Sequence, residues 1–190
     1  PYFTRTSVLN KLKYRSDIDG LRAVAVLSVI LYHINEAWIP GGFLGVDVFF
    51  VISGYLITFL LVKDISKTQQ LHVAEFYERR IKRIIPALLF MLLSTYVVGT
   101  FLLSPKDLTS LLESAVWSTL SLANIYFHTS VDTGYFSTGS DELPLLHLWS
   151  LGVEEQFYIV WPFAILLLIK YVASAKKKLL VIGSLVAASL

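Results

Sequence analysis

The sequence predicts an all-α membrane protein, a polytopic bundle of spanning helices. Of the 190 residues, 55% are hydrophobic and only 16% are charged, and the mean hydropathy is +0.66. Soluble domains carry a charge on about a quarter of their residues, so this chain lacks the polar surface of a soluble protein. Apolar segments long enough to cross a bilayer recur along the chain, with basic residues clustered between them.

Composition also excludes several functions. The formal net charge of +2 is too small to favour nucleic acid as a partner. The chain has no cysteine, which excludes disulfides, thiolate metal sites and a cysteine nucleophile, and we predict no metal site. The sequence begins at Pro1 and stops at Leu190 within an apolar run, so we expect a portion of a longer protein.

The first predicted element is a spanning helix at residues 18–34, preceded by basic residues and by Asp17. A secretory signal peptide has a similar outline, but an arginine at position 22 is wrong for its apolar core. Arg22 and His33 lie eleven residues apart. In a helix this separation is three turns plus about 20°, which puts both side chains on one face, about 16 Å apart along the axis.

Three further spans and the start of another are predicted from apolar runs of roughly twenty residues. They lie near residues 43–62, 84–103, 145–169 and 179–190. Residues 63–83 are polar and basic, which favours a short interfacial helix between the second and third spans. Pro86 would then lie near the start of the third span, where a helix tolerates proline.

Residues 104–144 form a predicted extracytoplasmic loop, with one lysine, Lys106, against five acidic residues. Within it, residues 110–127 are apolar enough to make a crossing conceivable. If they do not cross, fifteen of the sixteen Lys and Arg residues lie on the cytoplasmic side; if they cross, the split becomes eleven to five. The positive-inside rule therefore favours an extracytoplasmic amphipathic or re-entrant helix that does not cross, and a cytoplasmic N-terminus.

Ionisable residues within the predicted spans are the first indication of a site, because each costs about 2.5 to 3.5 kcal/mol to insert at the centre of a spanning helix. Under the predicted topology, three of them, His33, Asp47 and Glu154, approach one depth in the membrane, as expected of a buried site. The full set is Arg22, His33, Asp47, His147, Glu154 and Glu155.

Structural roles would explain several of these residues equally well. Arg22 would serve as an anchor that extends to the lipid headgroups, and Asp47 as a carboxylate favoured by the helix dipole. The histidines near helix ends would be interface residues. Glu154 and Glu155 fit such roles less well, because a carboxylate pair in mid-helix must be buried against something.

Four segments of the chain follow one another in a specific order: Asp17–His33, Gly41–Thr58, Arg79–Pro86 and Leu145–Pro162. In order and spacing they resemble membrane-bound acyltransferase family 3, to which bacterial O-antigen and peptidoglycan O-acetylases belong. The resemblance covers nearly all of residues 15–170. It implies a membrane domain of about ten helices, of which this chain would supply the first half, in the bacterial inner membrane.

The resemblance also implies the reaction. Such proteins transfer an acyl group, usually acetyl from cytoplasmic acetyl-CoA, to a hydroxyl of a cell-surface glycan such as lipopolysaccharide O-antigen. The amino-acid sequences of the first two segments are most similar to those of members that carry an extracytoplasmic SGNH-type domain after the membrane part. The expected partners are therefore acetyl-CoA, a glycan acceptor and the lipid bilayer.

Site residues carry over from the resemblance one by one. The family's Arg and His match Arg22 and His33, with His33 catalytic, and its carboxylate before a Phe-Tyr pair matches Glu154. Its paired cytoplasmic arginines match Arg80 and Arg83, or Arg79 and Lys82 in a shifted alignment.

We expect His33 either to take the proton from the sugar hydroxyl or to accept the acyl group first. Asp47 or Glu154 would orient the imidazole ring. Four arginines would bind the CoA phosphates: Arg22, Arg79, Arg80 and Arg83. Four residues of the last segment are expected to bind substrate: His147, Trp149, Glu155 and Tyr158.

Two other classes of function compete with acyl transfer. In a proton-coupled transporter or flippase, His33, Asp47 and Glu154 would form a proton relay. That hypothesis does not explain the basic loop that accompanies Arg22, and no matching pair of interrupted helices is visible in the sequence. The third class is an inert membrane scaffold whose polar groups only pack helices.

Overall fold

A computed structural model describes residues 15–68, 70–130 and 143–172. All regular structure in these ranges is helical, which confirms the predicted all-α class. The predicted span at residues 179–190 lies outside the described residues. The helices are α1 (Ser16–Ile34), α2 (Gly45–Thr68), α3 (Val73–Leu102), α4 (Pro105–Thr119), α5 (Ala123–Ser130) and α6 (Leu148–Tyr171), and a 3-10 turn (Gly42–Leu44) leads into α2.

Among the described residues, three segments are long and apolar enough to cross a membrane: Gly42–Thr68, Val73–Leu102 and Leu148–Tyr171. The predicted count of about five spans is not confirmed. Helix α1 forms where the first span is predicted, but its first two turns carry Asp17, Asp19 and Arg22. Because of these charges, α1 is not among the three segments that are long and apolar enough to cross a membrane.

Helix α3 differs from the prediction, which placed an interfacial helix before a span that starts at Ile84. No helix begins at Ile84, because α3 runs without a break from Val73 for 30 residues, with Pro86 inside it; the bounds of the part that crosses the membrane stay a prediction. Thirty residues extend about 45 Å, whereas the hydrocarbon core of a bilayer is about 30 Å thick. The helix is therefore long enough to cross the core and to carry its charged first turns beyond it.

Two ion pairs are compatible with helix in the charged first turns of α3. Arg79 Nη1 lies 3.5 Å from Glu75 Oε2, and Lys82 Nζ lies 2.5 Å from Glu78 Oε1. A glutamate four residues before a basic residue places the two side chains side by side on a helix and stabilises it. The basic character that suggested a separate interfacial helix thus supports continuation of α3.

The chain divides into two compact units, Pro1–Leu56 and Ile57–Leu190. In the first unit, glycines allow the turn before α2 to pack against the backbone of α1. A methyl group at Gly42 would lie 2.3 Å from the Ser28 carbonyl oxygen, and one at Gly45 would lie 2.4 Å from the Ala25 carbonyl oxygen. Side chains do not fit at such distances, so glycine is required at both positions.

The second unit contains two apolar clusters. One joins α3, α4, α5 and α6 and consists of Leu88, Leu92, Leu111, Ala123, Phe127, Leu145 and Leu148. The other joins the end of α2 to α3 and α6 and consists of Ile57, Leu61, Phe76, Tyr158 and Ile165. A hydrogen bond of 2.7 Å from Trp161 Nε1 to Thr58 Oγ1 adds a polar tie between α6 and α2.

The apolar segment 110–127 is not one helix. It is divided between α4, with 15 residues, and α5, with 8, and Ser121 in the link has a φ of 60°. This left-handed conformation is unfavourable for a residue with a Cβ atom and ends the helix. Each helix is shorter than the roughly 20 residues that a crossing needs, and the extracytoplasmic placement of the segment stays a prediction.

Candidate functional site

His33 lies in the last turn of α1, in the first unit, with an exposed side chain. Its Nδ1 atom is 2.8 Å from the carbonyl oxygen of Val29. A carbonyl oxygen only accepts, so Nδ1 carries the hydrogen, and in the neutral ring the lone pair is on Nε2. The rings of Tyr32 and His33 pack in a T-shaped arrangement, with ring centres 5.5 Å apart. Nε2 is therefore the ring nitrogen that can accept a proton.

Arg22 and Asp47, the other predicted site residues of the first unit, lie on α1 and α2. Helix α1 is continuous from Ser16 to Ile34, so the spacing that puts Arg22 and His33 on one face applies. Asp47 lies in the first turn of α2, and its side chain is exposed. This is the position that the helix dipole favours for a carboxylate, and its role in orienting His33 stays a prediction.

The second unit brings together three predicted site residues, Arg80, Tyr158 and Glu154. The Tyr158 hydroxyl donates a hydrogen bond of 3.0 Å to Glu154 Oε2, one turn earlier on α6. The guanidinium carbon of Arg80, on α3, lies 4.9 Å from the centre of the Tyr158 ring. At that distance a guanidinium is attracted to the face of an aromatic ring. The sequence predicted these residues individually but not their contact.

The other predicted arginines differ from Arg80 in their surroundings. Arg79 is exposed and pairs with Glu75 on its own helix, and Arg83 is also exposed. In the shifted alignment the second basic residue is Lys82, which pairs with Glu78. Exposed pairs of this kind contribute little to stability and leave a role in phosphate binding possible for either alignment.

Glu155 is held on a different side of α6 from Glu154. Its Oε2 atom accepts a hydrogen bond from the Ser121 hydroxyl in the link between α4 and α5. Gln156 Nε2 donates at 2.9 Å to the Ser121 carbonyl oxygen and at 2.9 Å to Asn124 Oδ1. A methyl group at Gly152 would lie 3.0 Å from Asn124 Oδ1, so this glycine permits the close approach of α6 and the link.

This polar cluster contains residues that sequence reasoning missed. Ser121, Asn124 and Gln156 were not predicted as part of a site. A signal was present, because Ser121 and Asn124 interrupt an apolar segment and Gln156 directly follows the two glutamates. Polar side chains in apolar surroundings need hydrogen-bond partners. The sequence could therefore have suggested that these three residues bond to one another.

His147 and Trp149 lie at the start of α6. The His147 side chain is exposed, and its carbonyl oxygen accepts a hydrogen bond of 3.0 Å from the Ser150 hydroxyl. Trp149 is half-buried against the first apolar cluster of the second unit. Within the described ranges, no group of three or more His, Asp and Glu side chains is placed to hold a metal ion.

Three apolar segments of spanning length define a helical membrane protein, and in its second unit α3 and α6 place an arginine, a tyrosine and a carboxylate together. The chain belongs to the acyltransferase family: the family profile, described as an acyltransferase domain, matches residues 15–190. This confirms the resemblance seen in the sequence.

Two relatives of the chain are named as O-acetyltransferases. The chain is 42% identical over 167 residues, 88% of its length, to O-acetyltransferase OatA of Staphylococcus aureus. It is 43% identical over 172 residues, 90% of its length, to peptidoglycan O-acetyltransferase OatA of Listeria monocytogenes. It covers 27% of each relative, so it spans about a quarter of their length. No solved structure matches the chain significantly.

Proposed function

We propose that the full-length protein transfers an acetyl group from acetyl-CoA to a hydroxyl of a cell-surface glycan. Membership of the acyltransferase family supports acyl transfer. The Listeria relative is named for peptidoglycan O-acetylation, which makes peptidoglycan the first acceptor to test. Lipopolysaccharide O-antigen, the acceptor predicted first, remains the second.

The observation that supports the role of His33 is its hydrogen bond to Val29. With Nδ1 protonated, Nε2 removes the proton from the sugar hydroxyl while the oxygen attacks the thioester carbonyl. The tetrahedral intermediate collapses, the carbon–sulfur bond breaks, and the imidazolium returns the proton to the CoA thiolate. Alternatively, Nε2 attacks the thioester and carries the acetyl group before the sugar accepts it.

The donor would be bound by arginines. Phosphate oxygens accept charge-assisted hydrogen bonds from guanidinium groups, which match their geometry in a bidentate manner. Arg22 on α1 and the cluster of Arg79, Arg80 and Arg83 on α3 are the proposed contacts for the CoA phosphates. Asp47 or Glu154 would stabilise the imidazolium formed at His33.

The proposed location is the bacterial inner membrane, with several crossings and a cytoplasmic N-terminus. The relatives are far longer than this chain, which is consistent with further domains such as the predicted extracytoplasmic SGNH-type domain. A proton-coupled transporter remains the alternative hypothesis, and family membership weighs against it.

The experiment that tests the proposal uses full-length protein in oriented membrane vesicles. Acetyl-CoA labelled in its acetyl group is supplied on the cytoplasmic side, with peptidoglycan fragments or O-antigen polysaccharide on the other. We expect label in the peptidoglycan fragments. Label in neither acceptor, from protein verified as folded and correctly oriented, would contradict acyl transfer to these glycans.

A further inference from the structure

We infer that Tyr158 is a positioning residue that links Arg80 to Glu154 and does not itself bind the glycan. The inference rests on the proposed function, in which Arg80 binds the donor and Glu154 serves the chemistry. It revises the sequence-based expectation that Tyr158 binds substrate.

Burial of Tyr158 is the first argument. Only 6% of the residue is exposed, and it belongs to the apolar cluster formed by α2, α3 and α6. Its hydroxyl is engaged at 3.0 Å by Glu154 Oε2. A glycan hydroxyl would have to displace these neighbours to reach the phenol. Tyr158 is therefore too enclosed to contact the glycan directly.

The hydroxyl provides a fixed orientation for Glu154. The two residues are four positions apart on α6, so their side chains lie on adjacent turns of one face. A carboxylate has several accessible rotamers, and a hydrogen bond from a buried, rigid phenol selects one of them. Removing the hydroxyl would remove this orienting bond from Glu154 while leaving the ring in place.

The ring provides a fixed orientation for Arg80. The guanidinium carbon lies 4.9 Å from the Tyr158 ring centre and 5.7 Å from the Phe76 ring centre. Attraction of the cation to a ring face needs no particular N–H group, whereas phosphate oxygens are bound by the N–H groups of the guanidinium. The aromatic contact can therefore align Arg80 for a phosphate without competing with it.

A second tyrosine holds the two helices in register at this level. The Tyr77 hydroxyl donates a hydrogen bond of 2.9 Å to the Ile159 carbonyl oxygen, which joins α3 to α6 beside Tyr158. Phe76, on the same turn of α3, is only 5% exposed. The Tyr77 hydroxyl also lies 3.4 Å from the Tyr158 carbonyl oxygen. Because both of these bonds go to backbone oxygens, Tyr77 offers a control for loss of a tyrosine hydroxyl that does not bond to Glu154.

The two functions of Tyr158 are separable by substitution in the full-length protein. Tyr158→Phe keeps the ring against Arg80 and removes the bond to Glu154. We expect kcat for labelled acetyl transfer to fall about tenfold to a hundredfold, with the KM for acetyl-CoA unchanged. Tyr158→Leu also removes the ring, and we expect it to raise that KM several-fold in addition.

Tyr77→Phe is the control, because it removes a hydroxyl bonded to the backbone of α6, and we expect it to lower kcat less than Tyr158→Phe does and to leave the KM for acetyl-CoA unchanged. Glu154→Gln and Arg80→Ala separate this inference from the proposed function. If both are fully active, the assigned roles fail. If Glu154→Gln is impaired while Tyr158→Phe keeps the native kcat, or if Tyr158→Phe and Tyr77→Phe lose activity equally, the positioning role is overturned and the proposed function stands. Binding of labelled CoA and thermal unfolding, measured on each variant, exclude misfolding as the cause.

Discussion

A single hydrogen bond decides which nitrogen of His33 can act as a base. The sequence singles out His33 by its spacing from Arg22 and by family resemblance, but the nitrogen that carries the hydrogen depends on the contact with Val29. Glu154 and Glu155 show a similar limit. They are adjacent in sequence, yet about 100° of helix rotation separates them, and they bond to Tyr158 and Ser121 respectively.

Ser121→Ala tests the cluster around Glu155. The Ser121 hydroxyl bonds to the Glu155 carboxylate, and loss of such a bond at a partly buried site costs about 1 to 3 kcal/mol. Ser118→Ala is the matched control, because its hydroxyl only bonds back to the Ser114 carbonyl oxygen within α4. Thermal unfolding of full-length protein in detergent measures both. Equal destabilisation by the two substitutions would show that the bond from Ser121 to Glu155 stabilises the protein no more than a bond within one helix.

At the scale of helices, the sequence predicts which segments are helical better than it predicts where each helix starts and ends. Apolar runs located α2, α3 and α6, because a spanning helix needs a long apolar segment whatever its partners. The start of α3 was missed because charged residues also form helix when glutamates pair with basic residues one turn on. The break between α4 and α5 was missed because it lies at Ser121, whose φ is left-handed and whose bonds go to Glu155 and Gln156 of α6, contacts that the local sequence does not reveal.

The glycines before α2 give a direct test of the packing between α1 and α2. Gly42→Ala and Gly45→Ala place a methyl group within 2.4 Å of a backbone oxygen of α1, and we expect a loss of about 1 to 3 kcal/mol or more through overpacking. Gly41→Ala is the adjacent control, since its methyl would meet only Leu44 Cδ1, at 3.8 Å. Unfolding temperatures of the three variants decide the matter. A Gly42→Ala protein as stable as Gly41→Ala would refute the close approach.

At the scale of the whole molecule, composition alone predicted a helical membrane protein, and the family comparison confirms the class of protein. The number of crossings is harder to predict, because α1 carries charges that lower its hydropathy and residues 110–127 are intermediate. The topology rests on the distribution of basic residues, a small bias summed over many side chains.

Single cysteines test this topology, and the chain contributes no cysteine of its own. If residues 110–127 do not cross, Lys106→Cys reacts with an impermeant maleimide from outside intact cells, whereas Lys67→Cys and Lys170→Cys react only after permeabilisation. Lys170 is the informative position, because a crossing by residues 110–127 would move it outside. Labelling of Lys170→Cys in intact cells would therefore contradict the predicted loop.

We propose that His33 performs acyl transfer to an extracytoplasmic glycan, and the most direct measurement of this role compares the native protein with His33→Ala. Full-length protein in vesicles receives labelled acetyl-CoA, and the label is followed into peptidoglycan fragments. We expect label with the native protein and with the control His128→Ala, whose exposed histidine lies on α5, and none with His33→Ala at equal expression and CoA binding. Transfer by His33→Ala at the native rate would contradict the claim.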